Sequence, residues 1–138
     1  MREAQFWRFL EGVLWPVHGR EPMMAGRFDD PNPNVQAASH YIMSHAILPR
    51  DCYKIPVEFI FAMGKLLLDK DIQRKTREAI MIILAHHGSE EALHALGMYN
   101  MQPGKGLEVF AMMALDECLS WNNGTAMKVD LINRVERG

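Results

Sequence analysis

The feature that most constrains the fold of this chain is an apolar register that repeats every 36 residues. Each copy falls near the start of what the sequence predicts to be the second helix of a helical hairpin. Stacked hairpins bury their apolar faces against one another, and they usually form interaction surfaces rather than catalytic pockets. The register therefore predicts an all-α fold. Its members are Val57/Ile60, Leu93/Leu96 and Val129/Ile132.

The size and charge of the chain limit what it can be. Its 138 residues, 49% of them hydrophobic, are enough for a single all-helical domain, residues 1–138, whose core needs no metal or disulfide. Fifteen basic and seventeen acidic residues give a formal net charge of −2. The chain therefore has no overall electrostatic field that would attract nucleic acid or an anionic membrane, and we expect neither as a partner. We also expect no cofactor.

The cysteines and the N-terminus indicate a cytoplasmic protein. Cys52 and Cys118 lie far apart and form no Cys-x-x-Cys pair, which is typical of reduced, buried thiols in a reducing compartment. Charged residues interrupt the N-terminal stretch where the apolar part of an export signal would lie. The longest apolar run, Ala79–Ala85, is far shorter than the ~18 residues that cross a bilayer.

Proline and glycine divide the chain into three parts. Residues 1–15 carry apolar side chains at helical spacing, which predicts an amphipathic N-terminal helix. Residues 16–33 contain six proline or glycine residues and predict a linker or a working loop. Residues 34–136 carry the helical repeats, which begin with a helix from Asn34 that stops before Pro49, and with its partner from Pro56.

A two-residue junction also recurs at the 36-residue spacing. Gly88 suits a left-handed helix end and Ser89 suits the cap of the next helix, and the same types recur as Gly124 and Thr125. We therefore expect Asn122–Gly124 to end one helix and Thr125 to begin a final one. This junction supports repeats more strongly than the apolar matches, because apolar positions of amphipathic helices often coincide by chance.

Two segments resemble the opening of a HEAT repeat. In Asp30–Ala38 an Asp-containing turn precedes a helix whose early alanines permit close packing, and Asp71–Ala79 is similar, with Arg77 placed to pair with an acidic neighbour. The third copy, Gln102–Gly106, lacks the Asp. This resemblance to HEAT and armadillo repeats, over about residues 30–136, implies an α-α superhelix of about three hairpins, with the N-terminal helix capping its end.

The densest group of metal-binding residue types lies at His86–His94. Glu91 and His94 form a Glu-x-x-His pair, whose spacing places a carboxylate and an imidazole on one helical face, as in di-iron carboxylate bundles. Such a site needs a second copy of the pair, and the sequence has none. Gly88 also breaks the helix between His86 and His94. We therefore expect an exposed helix junction here, with Glu91 and His94 as the candidate ligands if a metal binds.

Two other patterns contain residue types that act in catalysis or in phosphate binding. Cys52 with His45 or His86 would form a nucleophile and its base, provided that the two are in contact and the thiol pKa is lowered. Gly104-Lys105-Gly106 precedes a helix, whose N-terminus can bind a phosphate group. That segment matches neither established glycine-rich fingerprint, and a plain turn is the simpler interpretation.

The register predicts one interaction strip. In a helical stack the second helices line the concave side, so equivalent exposed positions on them would form one row. We expect this strip to bind the partner, and an ordinary solvated helix face is the alternative. The strip consists of Glu58, His94 and Asp130, with Ala62, Met98 and Arg134 one turn further along.

The predicted function is that of a non-enzymatic module that binds a protein or a peptide. A metal-binding or thiol-dependent enzyme that uses the His86–His94 region or Cys52 is the alternative. Because three repeats are about the minimum for a stable stack, exposed apolar ends favour self-association. Trp7 is then a natural anchor for a homodimer.

Overall fold

The computed structural model of the chain describes the backbone of residues 1–14, 32–43 and 52–137, and the side chains of residues 1–11, 32–42 and 52–122. Within these ranges the fold is all-α, without a strand, as predicted. Residues 16–31 of the predicted loop 16–33 lie outside the described residues. The helix end expected before Pro49 lies outside them as well. The helices are α1 (Glu3–Leu14), α2 (Pro33–Met43), α3 (Val57–Leu67), α4 (Arg74–His87), α5 (Glu90–Met101) and α6 (Glu108–Arg137), with a short 3-10 helix at Cys52–Lys54.

Helix α4 is the centre of the fold. Every residue from Ala79 to Ala85 is at most 1% exposed, so this part of the helix is buried on all of its faces. A helix that is apolar all round is stable only inside a core. Each large aliphatic side chain of this run contributes about 1.5–3 kcal/mol by leaving water. The other helices are arranged around α4.

Helices α1 and α3 pack together beside α4. The ring of Phe9 on α1 stacks on that of Phe59 on α3, with centroids 4.7 Å apart. Trp7 Nε1 donates a 3.0 Å hydrogen bond to Thr76 Oγ1 in the first turn of α4, and the Thr76 hydroxyl donates to the Glu3 carboxylate. Trp7, which we expected to anchor a homodimer, is thus partly buried against its own chain.

Helix α2 packs on α4 and α6. The Tyr41 ring lies edge-on to Phe110 of α6, with centroids 4.9 Å apart. His40 Nε2 lies 2.6 Å from Glu78 Oε2 of α4. These contacts pack α2 on α4 and α6, whereas the ring that stacks on Phe59 of α3 comes from α1.

The junction between α4 and α5 is the one that the sequence predicts. Gly88 ends α4 in the left-handed conformation, with φ +68°, which favours glycine because it has no Cβ. Ser89 Oγ accepts a 3.1 Å hydrogen bond from the Ala92 N–H and caps α5. Since α4 is joined by short turns to both α3 and α5 and packs on both, it runs antiparallel to them. Helices α3 and α5 therefore lie side by side and parallel.

Helix α6 corrects the predicted third hairpin. We expected a helix end at Asn122–Gly124 and a new helix from Thr125, but α6 continues unbroken to Arg137. A glycine costs about 1 kcal/mol inside a helix and does not by itself end it. Asn122 Nδ2 donates a 3.0 Å hydrogen bond to the Gly88 carbonyl oxygen, so this side chain does not compete for the backbone of its own helix. The Gly88-Ser89 junction thus separates two helices, whereas Gly124-Thr125 lies inside one helix.

Candidate protein-binding surface

Helices α3 and α5 expose a group of large apolar side chains, which we call the α3/α5 face. Val57, Phe61 and Leu68 at α3 are 43%, 59% and 50% exposed. Met98 and Met101 of α5 are 45% and 80% exposed. A single exposed apolar side chain is ordinary, but a cluster on neighbouring helices is typical of an interaction surface. The α3/α5 face is therefore the candidate functional site.

Helical spacing and one close contact bring these side chains together. Phe61 follows Val57 by four residues and Leu68 follows Phe61 by seven, which are one and two helical turns. Gly64 adjoins this row and packs on Ala95 of α5, where a Cβ added at Gly64 would lie 2.8 Å from the Ala95 Cβ. Because small residues let the two backbones approach, the exposed rows of α3 and α5 form one face.

A groove of about 510 Å³ opens between the C-terminal ends of these two helices. Its apolar lining includes Leu68, Met98 and Met101, and its charged lining consists of Asp69, Lys70 and Arg77. Methionine side chains adapt to irregular apolar surfaces. The groove therefore offers a site for an apolar side chain of a partner, next to charges of both signs.

The charged residues around the α3/α5 face are divided between its ends. Glu58, Glu90 and Glu91 lie exposed in the first turns of α3 and α5, where the positive ends of the helix dipoles stabilise carboxylates. Near the C-terminal ends lie Lys65 of α3 and Arg77 of α4, and the turn that follows α3 carries Asp69, Lys70 and Asp71. The Asp69 carboxylate accepts a 2.9 Å hydrogen bond from the Asp71 N–H. Three carboxylates thus lie near the N-terminal ends of the two helices, with Lys54 just before α3, and charges of both signs lie near the C-terminal ends.

Three residues of the predicted interaction strip lie on this face. Glu58 on α3, and His94 and Met98 on α5, are exposed, whereas Ala62 on α3 is half-buried. Asp130 and Arg134 belong to the continuous helix α6, and their side chains lie outside the described residues. The exposure of Glu58, His94 and Met98 is compatible with the strip, which stays a prediction. Asp130 and Arg134 were assigned to the strip because the sequence predicted a third hairpin. The unbroken helix α6 stands in place of that hairpin.

The histidines of the His86–His94 segment do not converge on one site. His87 Nε2 lies 2.8 Å from the Ile55 carbonyl oxygen and links the α4–α5 junction to the segment before α3, while its Nδ1 lies 2.7 Å from Ser89 Oγ within that junction. Glu91 and His94 are exposed on α5. No group of three or more His, Cys, Asp or Glu side chains in the described part of the chain is arranged to hold a metal ion.

His86 belongs to a network that the sequence did not indicate. Its Nε2 lies 3.0 Å from Glu117 Oε2 of α6, and its Nδ1 lies 3.0 Å from the Ile82 carbonyl oxygen. The Tyr41 hydroxyl of α2 donates to the other Glu117 oxygen. Burial, and then the hydrogen bond to Glu117, raise the pKa of Tyr41 far above its ordinary value. The network ties α2, α4 and α6 together through residues up to 76 positions apart, and no local pattern signals it.

The two cysteines are buried and carry no sign of activation. Burial raises the pKa of the Cys52 thiol to about 12 and that of Cys118 to about 11. The Cys52 Sγ lies 3.3 Å from the Ile83 carbonyl oxygen and donates to it. A catalytic cysteine needs a lowered pKa and an accessible thiolate. His45, one of its suggested bases, lies outside the described residues.

The Gly104–Gly106 segment is a turn that the fold uses structurally. The Leu107 N–H donates a 2.9 Å hydrogen bond to the Gly104 carbonyl oxygen, and Arg74 Nη2 donates to the Gly106 carbonyl oxygen at 3.2 Å. Gly106 has φ +82°, which favours glycine. The Lys105 side chain is exposed. The turn fixes the start of α6 against the start of α4.

Comparison with protein-family models, with characterised proteins and with solved structures finds no match to this chain. Among the described residues, no helix combines the length and the apolar character needed to cross a membrane.

Proposed function

We infer that this chain is a non-enzymatic helical module that binds another protein through the α3/α5 face. The observation that carries this proposal is the exposure of Phe61, Leu68 and Met98 on two helices held together by a small-residue contact. Aromatic and methionine side chains are enriched in protein interfaces. The charged residues around them supply the polar rim that such interfaces have.

The proposed partner is a protein surface with an apolar centre flanked by charges of both signs. A nucleic acid would require a surface of one sign, whereas this face carries Glu58, Glu90 and Glu91 at one end. The raised thiol pKa values of Cys52 and Cys118 speak against the thiol-dependent enzyme as the alternative.

Two further parts of the proposal concern fold relationship and location. The parallel, adjacent pair α3 and α5, with α4 antiparallel to both, supports a HEAT-like arrangement in which second helices line one surface. The free, buried thiols of Cys52 and Cys118 support a cytoplasmic setting, since such thiols persist in reducing compartments.

Site-specific photo-cross-linking in cells tests the binding face. A photoreactive amino acid replaces Phe61 in one variant and Met112, which is 51% exposed on α6, in a matched control. The proposal expects a discrete cross-linked species from position 61 that is absent from position 112. Identical patterns from the two positions, or no adduct from either, would overturn it.

A further inference from the structure

The groove between the C-terminal ends of α3 and α5 contains an arginine whose charge is not neutralised by a carboxylate of the described residues. Arg77 Nη2 donates hydrogen bonds to the carbonyl oxygens of Asp69 and Lys70, at 3.2 and 2.9 Å. We expected Arg77 to pair with an acidic neighbour, but it forms no ion pair with any described residue. Its Nε is buried without a hydrogen-bond partner among them. Because a guanidinium stays charged at every ordinary pH, a partly buried one is stabilised by a nearby anion.

A tyrosine hydroxyl lies beside this guanidinium. Tyr99 is 4% exposed, and its Oη accepts a 3.0 Å hydrogen bond from the Gly104 N–H, which leaves the hydroxyl proton for a ligand. A Cβ added at Gly104 would lie 3.0 Å from both Arg77 Nη1 and Tyr99 Oη. The backbone at Gly104 does not require a glycine, since only Gly88 and Gly106 of the described residues have a positive φ. The absence of a side chain at Gly104 instead leaves space beside the two donors.

The rest of the groove combines apolar side chains with an excess of positive charge. Lys70 and Arg77 of its lining are basic, and Asp69 is acidic. The Asp69 carboxylate is exposed and accepts from the Asp71 N–H in the turn after α3. One positive charge is therefore left over in a groove of about 510 Å³. The apolar side chains beside it include Leu68, Met98 and Met101.

We propose that this groove binds the C-terminal residue of a partner protein, with the terminal carboxylate beside Arg77 and Tyr99 and an apolar last side chain against Met98 and Met101. This inference rests on the proposed function, because the groove belongs to the α3/α5 face. A C-terminal residue carries its carboxylate and its side chain on the same carbon atom, so both groups enter one groove. A carboxylate accepts charge-assisted hydrogen bonds from the guanidinium and a further one from the tyrosine hydroxyl.

Other anionic groups match the groove less well. In an extended peptide, neighbouring side chains point to opposite faces, and the next side chain on the same face lies about 7 Å further along. An internal acidic residue that reached Arg77 would therefore direct the adjacent apolar side chain away from Met98. A phosphate group carries more than one negative charge, which exceeds the net charge of the groove.

Methionine NMR with a defined peptide tests the site. The probe is a hexapeptide of glycine and serine that ends in leucine with a free carboxylate, and the protein carries ¹³C-methyl methionine. The Met98 and Met101 signals should shift, whereas that of Met112, which is 51% exposed on α6, should not. The same peptide with an amide terminus should bind about tenfold more weakly or worse. Equal binding of acid and amide, or no shift at about 10 mM peptide, would overturn the proposal.

Two further probes distinguish the occupants of the groove. An amide-terminated peptide with glutamate before its leucine offers an internal carboxylate, and octanoate offers a carboxylate and an apolar chain without a peptide backbone. Both should bind more weakly than the peptide with a free terminus. Tighter binding of the glutamate peptide would assign the groove to an internal acidic residue, and tighter binding of octanoate would assign it to a fatty acid. Either result would contradict a C-terminal residue as the ligand.

Substitutions locate the carboxylate. Gly104→Ala places a methyl group beside both donors and should weaken binding of the free-terminus peptide about fivefold or more. Gly97→Ala on α5, where nothing lies within 4 Å of the added Cβ, is the matched control and should leave the affinity unchanged. Arg77→Gln should remove the preference for the acid over the amide. A preference that persists in a folded Arg77→Gln variant would contradict the proposal.

Folding of the variants is measured independently. Circular dichroism and thermal unfolding report on each one, because Arg77 also bonds to the turn after α3. If Arg77→Gln does not fold, the comparison of acid and amide on the wild type and on Gly104→Ala decides the question. Loss of the acid preference in Gly104→Ala supports the site, and an unchanged preference and affinity in that variant overturn it.

The cross-linking experiment separates failure of this inference from failure of the proposed function. An adduct specific to position 61, together with no binding of the free-terminus peptide, overturns the C-terminal residue as the ligand and leaves the α3/α5 face supported. No specific adduct and no peptide binding overturn both. Peptide binding that depends on the free carboxylate supports the groove as part of the face.

Discussion

Gly64 of α3 packs directly on Ala95 of α5, so closely that a Cβ added at Gly64 would lie 2.8 Å from the Ala95 Cβ. This contact sets the distance between the two helices that carry the exposed apolar side chains. The width of the α3/α5 face therefore depends on a glycine and an alanine that make no contribution to binding chemistry themselves.

Gly64→Ala should destabilise the fold by about 1–3 kcal/mol, because the added methyl group overpacks a tight helix contact. Ala95→Gly in the same chain should relieve the clash, so the double variant should recover stability beyond the sum of the two single changes. Urea unfolding measures both. Gly97→Ala, where nothing lies within 4 Å of the added Cβ, is the control and should stabilise α5 by up to about 1 kcal/mol. Equal effects at positions 64 and 97 would contradict the close contact.

Ser89→Ala should cost about 1 kcal/mol of unfolding free energy. The substitution removes the oxygen that accepts from the Ala92 N–H and that lies 2.7 Å from His87 Nδ1. Ser89→Thr retains the hydroxyl and should keep most of the stability, which chemical denaturation can compare directly. An alanine variant as stable as the threonine variant would show that the cap does not stabilise α5.

Cys52 and Cys118 should react slowly with a thiol reagent in the native protein. With pKa values of about 12 and about 11, their thiolate fractions near neutral pH are roughly a hundred- to thousandfold below that of an ordinary cysteine. Stopped-flow labelling of the Cys52→Ser and Cys118→Ser variants assigns a rate to each thiol. Both should label fast in denaturant, and fast native labelling of Cys52 would revive the thiol-dependent enzyme.

Stability should fall as pH rises through the titration of His40. The hydrogen bond to Glu78 raises the pKa of His40 from its ordinary value of 6.5, although burial and Arg74 act in the opposite direction. A raised pKa means that the folded state holds the proton more tightly, so the stabilisation is complete below about pH 6.5 and is lost as pH rises through the folded-state pKa. Because His40 is partly exposed, the change should not exceed about 1 kcal/mol.

His40→Gln is the control for that titration. The difference in unfolding free energy between wild type and this variant should be constant in acid and should shrink from about pH 6.5 upward. Denaturant unfolding at a series of pH values measures it. A difference that grows with pH would mean that His40 is stabilised in its neutral form.

Local sequence chemistry determined the helix ends that the structure bears out. Gly88 and Ser89 act through their own backbone conformation and hydroxyl group, so their roles follow from residue type and position alone. Pro56 likewise precedes α3 at its N-terminal end. The same local rules failed at Gly124, because the cost of a glycine inside a helix is small and contacts elsewhere along α6 outweigh it.

The candidate face was predicted only in part from the sequence. Helical periodicity identified Glu58, His94 and Met98 as exposed, since a position one residue from a core position turns away from the core. It did not identify Phe61 or Leu68 as surface residues. An apolar side chain in the sequence is equally compatible with a core, and only the position of α5 relative to α3 decides which of them stay exposed.

The sequence by itself determined that the chain is helical and where several helices begin and end, because capping and periodicity depend on residues within a few positions of each other. Only the tertiary structure decided the neighbours of each helix. It placed α4 at the centre, joined Tyr41 and His86 through Glu117, and set Gly64 on Ala95. Such contacts join residues far apart in the chain, and their energies depend on the simultaneous packing of several helices, which no local pattern encodes.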